Sequence, residues 1–239
     1  DLVQCRLQRH PFEDGKPSVK VLQLFGPIGT PGLENEYCAA RAGIEKMLPK
    51  GQFKAIEALI SDADTVDETR EDLRALPLVS IDSPNTVDID DALCAEPQDE
   101  GWLLTVAIAD PTTCLKEAAD LTTLIATRGT SHYFHGLAIP MLPEALAKSA
   151  ALRPEEDKNA VVCRLNISPN GDITNSSVRL AIVQSKAKLS YQEVEEVLTE
   201  GAEHEFGEAL KHLNGCFSAL RAWRESRELV IEHRLEHRW

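Results

Sequence analysis

The sequence predicts an α+β chain, and two observations carry that prediction. Alternating or continuous apolar runs recur at 2–7, 19–24, 78–81, 93–95, 102–109, 161–167 and 173–183, as strands require. Along 34–48, 52–60 and 206–220 the apolar residues step instead by three and four, the period of a helix face. A prior of roughly 150 residues per domain allows one or two domains. Aromatics are 5% of the 239 residues, so the core is aliphatic.

The elements follow in order. Residues 2–7 and 19–24 read as two strands around a turn region at 11–17, which holds Pro11, Gly15 and Pro17. Residues 26–32 form a loop. Helices follow over 34–48, through Ala40, Ile44, Met47 and Leu48, and over 52–60, through Phe53, Ile56, Leu59 and Ile60. The acidic stretch 61–71 is the best linker candidate. A denser α/β region opens near Leu76. A helix over 116–128 can be capped by Gly129. Asn170-Gly171 between two alternating runs signals a hairpin. Ser190 and Glu193 match a capping box for a helix over 191–199. Phe206, Leu210, Leu213, Phe217 and Leu220 share one face of a further helix.

The formal charge is −14. Spread evenly, it would disfavour coating nucleic acid or acidic membranes. It is not spread evenly. Residues 61–100 hold 13 acids and two bases, which makes that segment −11. No run of about 18 apolar residues occurs, so no membrane span is expected. No basic-then-apolar leader precedes the chain, and the missing initial Met points to a processed chain or a fragment. The six cysteines, at 5, 38, 94, 114, 163 and 216, form no C-x-x-C pair. They read as free, buried thiols in a reducing cytoplasm.

The sharpest feature is Asp82, Asp88, Asp90 and Asp91, four aspartates within ten residues. No Lys or Arg occurs between Arg74 and Lys116. Val79, Ile81, Val87, Ile89 and Leu93 interleave with the acids, so the stretch is not a solvated tail. Carboxylates held beside a core without counter-charge must raise their pKa values or bind cations. Short oxygen donors suit Mg²⁺ or Mn²⁺. In a regular strand Asp88 and Asp90 share a face and Asp91 opposes them, so convergence needs an irregular backbone at 88–91. Two divalent ions would activate a water and stabilise the leaving oxygen of a phosphodiester. The spacing alone equally admits a calcium loop, a sugar-nucleotide transferase or an acidic turn. An EF-hand is disfavoured by the missing loop glycine and terminal Glu.

The segment is similar to the signature of the ribonuclease II family, the RNB-type 3′→5′ exoribonucleases. Residues 106–112 (VAIADPT), 132–136 (HYFHG), 139–143 (IPMLP), 163–165 (CRL), Asn170-Gly171 and 185–191 (SKAKLSY) resemble later family blocks in the same order. The resemblance implies the C-terminal part of an OB-like cold-shock β-barrel at 1–33 and a helical linker at 34–75. It then implies the first half of a mixed α/β RNB catalytic domain at 76–239. It implies magnesium ligation by Asp82, Asp88, Asp90 and Asp91, with Asp88 helping to hold metal and water and Asp90 most critical to catalysis. It implies that Tyr133 stacks on a base at the RNA 3′ end, which is a sequence-tolerant contact. The family's later arginines, its late catalytic glutamate and its second base-clamping aromatic are expected beyond Trp239. On that ground residues 1–239 alone are expected to be inactive.

The whole protein is thus expected to be a cytoplasmic, monomeric, Mg²⁺-dependent exoribonuclease with no membrane partner. Mn²⁺ would be a substitute ion. It would hydrolyse single-stranded RNA from the 3′ end to nucleoside 5′-monophosphates. The alternatives are a non-catalytic RNA-binding or regulatory module and a calcium-binding structural domain. Lys186 and Lys188 share a strand face and are expected either to meet phosphates or to be solvated at a sheet edge. Arg128, Lys148 and Arg153 flank the Tyr133 block and either line an RNA channel or make surface salt bridges. His132 and His135 read as structural, because neither matches a zinc motif.

Overall fold

A computed structural model describes residues 1–10, 12, 16–44, 66–115 and 119–227. In chain order the elements are β1 (Leu2–Arg9), β2 (Ser18–Gly26), α1 (Leu33–Arg41), β3 (Glu71–Asp72), β4 (Val79–Asp82), β5 (Asp91–Gln98) and β6 (Gly101–Ala109). After a 3₁₀ turn at Pro111–Leu115 come α2 (Ala119–Arg128), β7 (His132–Phe134), β8 (Leu137–Ile139), α3 (Glu144–Ala150), β9 (Asp157–Ile167), β10 (Ile173–Gln184) and β11 (Ala187–Ser190). The chain closes with α4 (Tyr191–Glu195), a π-turn at Glu196–Glu200 and α5 (Gly207–Ser226). The mixed α/β character expected from the sequence holds. The helix expected over 52–60 lies outside the described residues.

The chain divides into two compact units, Asp1–Glu57 with Glu117–Glu144, and Ala58–Lys116 with Ala145–Trp239. In the first, β1 and β2 form an antiparallel hairpin and β7 and β8 form a second one. Helix α2 ends where expected: Gly129 takes a left-handed φ of 68° and its N–H donates to the Ile125 carbonyl.

The second unit is built on a mixed sheet in the order β11-β4-β5-β6-β9-β10-β3. β11 runs parallel to β4, β3 runs parallel to β10, and the other neighbours are antiparallel. Strand alternation feeds two cores. One gathers Leu78, Ala92, Cys94, Ala107, Ala160, Val162, Ala181 and Val183 with Leu152. The other gathers Val79, Ala95, Ile167 and Leu189 with Leu210, Leu213 and Cys216 of α5. Both are aliphatic and rich in small residues, as the scarcity of aromatics requires.

Several local signals are realised. The turn after Ile167 places Gly171 at a φ of 84°, and a Cβ there would lie 2.2 Å from the Ala219 carbonyl oxygen. The hairpin therefore meets α5 backbone to backbone. Trp223 seals the contact through Nε1 on Asp172 Oδ1 at 2.6 Å. Ser190 and Glu193 complete the capping box of α4, although the regular helix gives way to a π-turn at Glu196.

Four expectations are corrected. Residues 70–73 are not linker: Arg70 is almost wholly buried, Glu71 and Asp72 pair with β10, and Leu73 enters the first core. On α5 the buried stripe runs through Leu210, Leu213, Cys216 and Ala219, leaving Phe217 58% exposed. Helix α1 ends at Arg41, with residues 42–44 outside it, and residues 45–48 of the expected 34–48 helix lie outside the described residues. Cys94 and Cys216 are buried as expected, but Cys5 and Cys38 are exposed.

Candidate active site

The four aspartates sit where the sheet changes from regular to irregular backbone. Asp82 ends β4, and its place is set by parallel pairing with Ser190 of β11. Asp91 opens β5 opposite Ile108. Residues 83–90 between them belong to no strand, which is the irregularity that convergence requires. Ile89 is buried in the first core, and its carbonyl accepts from the Leu152 N–H at 2.9 Å. That inward anchor leaves Asp88 and Asp90 on the outside, both exposed. The Asp90 carbonyl accepts from the Ala109 N–H at 2.8 Å, which ties the acidic stretch to the end of β6.

The acids act on one another. Partial burial lifts the Asp90 carboxyl above its ordinary range, and the charges of Asp88, Asp91 and Asp82 lift it further. Asp82 is also raised, by burial first and Asp91 second, while Lys188 pulls it back. The sequence offers no local counter-charge here, because Lys188 reaches the loop from a strand about a hundred residues away. Its Nζ donates to the Pro84 carbonyl at 3.0 Å and to the Thr86 carbonyl at 2.6 Å.

Among the described residues, no three His, Cys, Asp or Glu side chains converge as a ready-made metal site. The strand pattern gives a physical reason. Asp91 alternates with Ala92 of the first core, whereas Asp82 follows the face of Leu78 and Ser80, so the two start from opposite sides of the sheet. The donor chemistry still fits a hard divalent cation: four carboxylates, their mutual repulsion unrelieved by any ion pair among the described residues.

Behind the loop stands a buried pair that sequence reading missed. Arg70 Nη2 lies 2.8 Å from Asp110 Oδ2. Burial opposes ionisation of Asp110. The Thr112 hydroxyl and amide, with the Arg70 guanidinium, win and hold its carboxyl below the usual range. The available signal was an aspartate closing the apolar run 106–109.

The other candidates fall as follows. Tyr133 lies on β7 in the first unit and is 78% exposed, an open aromatic face. Arg128 Nη1 donates to the Pro140 carbonyl beside that hairpin. Lys186 Nζ donates to the Arg74 carbonyl and to Gln184 Oε1. Neither Lys186 nor Lys188 is simply solvated at an edge, because backbone carbonyls take both ammonium groups. In the second unit Arg153 donates to the Lys148 carbonyl and lies 3.7 Å from Glu156.

The family model described as the RNB domain matches residues 70–237. The chain belongs to the RNB domain family. Among curated RNB relatives, it is similar to Exoribonuclease 2 of Yersinia pseudotuberculosis serotype IB (strain PB1/+), 33% identical over 248 residues, covering all of this chain and 37% of that protein. It is likewise similar to Exoribonuclease 2 of Yersinia pestis (strain Pestoides F), at 36% over 266 residues and 40% of that protein. The chain thus spans about two fifths of the length of these relatives. Two solved structures share the RNB fold. Mycoplasma genitalium RNase R in complex with double-stranded RNA matches at TM-score 0.77 and 22% identity, over 94% of this chain and 41% of that one. Yeast Ssd1, described as a pseudonuclease, matches at TM-score 0.71 and 14% identity, over 93% of this chain and 28% of that one.

Proposed function

We propose that this chain carries the metal-binding part of a hydrolytic 3′→5′ exoribonuclease that acts on single-stranded RNA and releases nucleoside 5′-monophosphates. The observation that carries the reading is the aspartate cluster inside an RNB domain, with all four acids present and coupled to one another. Asp82 and Asp91, fixed by flanking strands, would hold Mg²⁺ together with Asp88. Asp90, raised by burial and by the charges of Asp88, Asp91 and Asp82, would share in holding the ion and would handle the proton of the attacking water. A bound magnesium ion would supply an activated water and offset charge on the scissile phosphate. Tyr133 would present its exposed ring to a base. The β1–β2 hairpin would be the closing strands of a cold-shock barrel, and the whole protein a cytoplasmic monomer.

A second reading has one observation in its favour. The fold likeness to a pseudonuclease means that the RNB fold alone does not establish catalysis. One assay separates the two. The full-length protein and residues 1–239 are incubated with 5′-labelled poly(A) and Mg²⁺, and the assay is repeated with Asp90→Asn. Shortening from the 3′ end by the full-length protein that Asp90→Asn abolishes supports the nuclease. RNA binding without shortening overturns it in favour of a non-catalytic module.

A further inference from the structure

We propose that Lys188 is a positioning residue that closes the aspartate loop into its cation-holding shape. The inference rests on the reading of Asp82, Asp88, Asp90 and Asp91 as ligands, and it concerns what holds them in place.

The loop has three anchors of different kinds. Its ends are strand residues, Asp82 and Asp91. Its last turn is fixed from inside by Ile89, through a core side chain and the Leu152 amide, and by Asp90 through Ala109. The stretch 83–87 lacks such support. Val87 is 51% exposed, so no core side chain holds it. Pro84 has no N–H to offer. Among the described residues, its own hydrogen bond is local, from the Thr86 N–H to the Ser83 carbonyl at 3.0 Å. The tie from outside is Lys188, whose single ammonium takes the carbonyls at 84 and 86 together. An ammonium suits the task, since it carries three donors and no acceptor.

The strand that bears Lys188 strengthens the case. β11 pairs with β4 in parallel, Lys188 beside Ser80 and Ser190 beside Asp82. The same four-residue strand therefore sets the position of Asp82 through its register and the shape of the following loop through one side chain. Leu189 between them is buried in the second core, which fixes the strand's rotation and sends Lys188 to the loop side.

Charge alone points the other way. A fixed positive charge beside a cation site repels the cation, so removing it should tighten binding. Positioning predicts the opposite sign. The test is Mn²⁺ binding to residues 1–239 and to the full-length protein, by electron paramagnetic resonance or calorimetry. Wild type is compared with Lys188→Met, Lys188→Arg and Asp90→Asn. Amide exchange at residues 84–88 is measured without metal on the same proteins. We expect Lys188→Met to weaken Mn²⁺ at least tenfold, to speed Thr86 amide exchange at least tenfold, and to leave the sheet amides unchanged. We expect Lys188→Arg to restore most of both. If Lys188→Met does not fold, Lys188→Gln is judged by the same measures. Binding by Lys188→Met as tight as wild type, or tighter, overturns the proposal alone. Failure of wild type to bind Mn²⁺ in an Asp90-dependent way overturns the ligand reading, and the proposal with it.

Discussion

The Arg70 guanidinium stands 2.8 Å from Asp110 Oδ2, with the two side chains only 5% and 3% exposed. This pair joins the chain ahead of β3 to the end of β6, next to the residue whose amide holds the Asp90 carbonyl. Removing one partner strands a buried charge. Arg70→Met or Asp110→Asn should each cost about 3–5 kcal/mol. Urea unfolding of the chain measures this. A double change to Met and Leu should cost clearly less than the sum of the single losses.

Asp110, held by Thr112 and Arg70, also sets a pH dependence. Asp110 is held below its ordinary value of 3.8, so at acid pH the folded chain binds fewer protons there than the unfolded chain. Its stabilisation is complete above that ordinary value and is lost as pH falls through the lower folded value. Unfolding midpoints between pH 2 and 6 should show this loss in wild type. Asp110→Asn should lack that component while being less stable at pH 7.

The aspartate cluster makes opposite demands with and without metal. In metal-free buffer at pH 7, Asp90→Asn removes one member of a mutually repelling set and should leave the chain as stable as wild type or more so. Mg²⁺ at a hundred times its dissociation constant should add about 2.7 kcal/mol to wild type and distinctly less to the variant. Thermal unfolding with and without Mg²⁺ reads both effects.

Gly171 and Gly201 both take left-handed backbone, with φ of 84° and 69°, but a Cβ at Gly201 would meet nothing within 4 Å. Gly201→Ala should therefore cost about 1–2 kcal/mol from backbone strain alone. Gly171→Ala must also push α5 away from the hairpin, and should cost about 3 kcal/mol or more. Chemical denaturation of the two variants gives the comparison.

Thiol reactivity should follow exposure. Burial pushes the Cys94 thiol up to about 11 and also raises Cys216. The exposed Cys5 and Cys38 should label rapidly in the native chain, and Cys94 and Cys216 only on unfolding. Peptide mapping after a short pulse of iodoacetamide identifies the modified positions.

What the sequence made legible was local. The Asn170-Gly171 turn, the Ser190 capping box, the Gly129 helix stop and the irregular stretch before Asp91 each rest on residues within a few positions of one another. What it hid was long-range. Arg70 looked like part of a linker because its partner is 40 residues on, at the end of another strand. Lys188 offered a phosphate contact or a solvated sheet edge and nothing else, because the carbonyls it binds carry no signature of their own. Phe217 misled because apolar spacing cannot tell a buried helix position from the one beside it, where Cys216 in fact enters the core. The aspartates themselves were visible, but the alternation that starts Asp82 and Asp91 from opposite sheet faces became clear only with the strand pairing known.

The loop's ties also have a consequence for the order in which the chain becomes native. The residues that hold the aspartates lie well downstream, and Lys188 follows Thr86 and Pro84 by 102 and 104 positions. Until residues 187–190 have been synthesised, β4 has an open edge and the stretch that follows it, through Pro84 and Thr86, lacks its tie to Lys188. Contacts of such separation form late. The two events close together, because one short strand seals the sheet edge and fastens the loop. A nascent chain halted just before β11 would display an exposed edge strand beside a cluster of repelling charges, a combination that keeps the edge from pairing with another chain until its proper neighbour arrives.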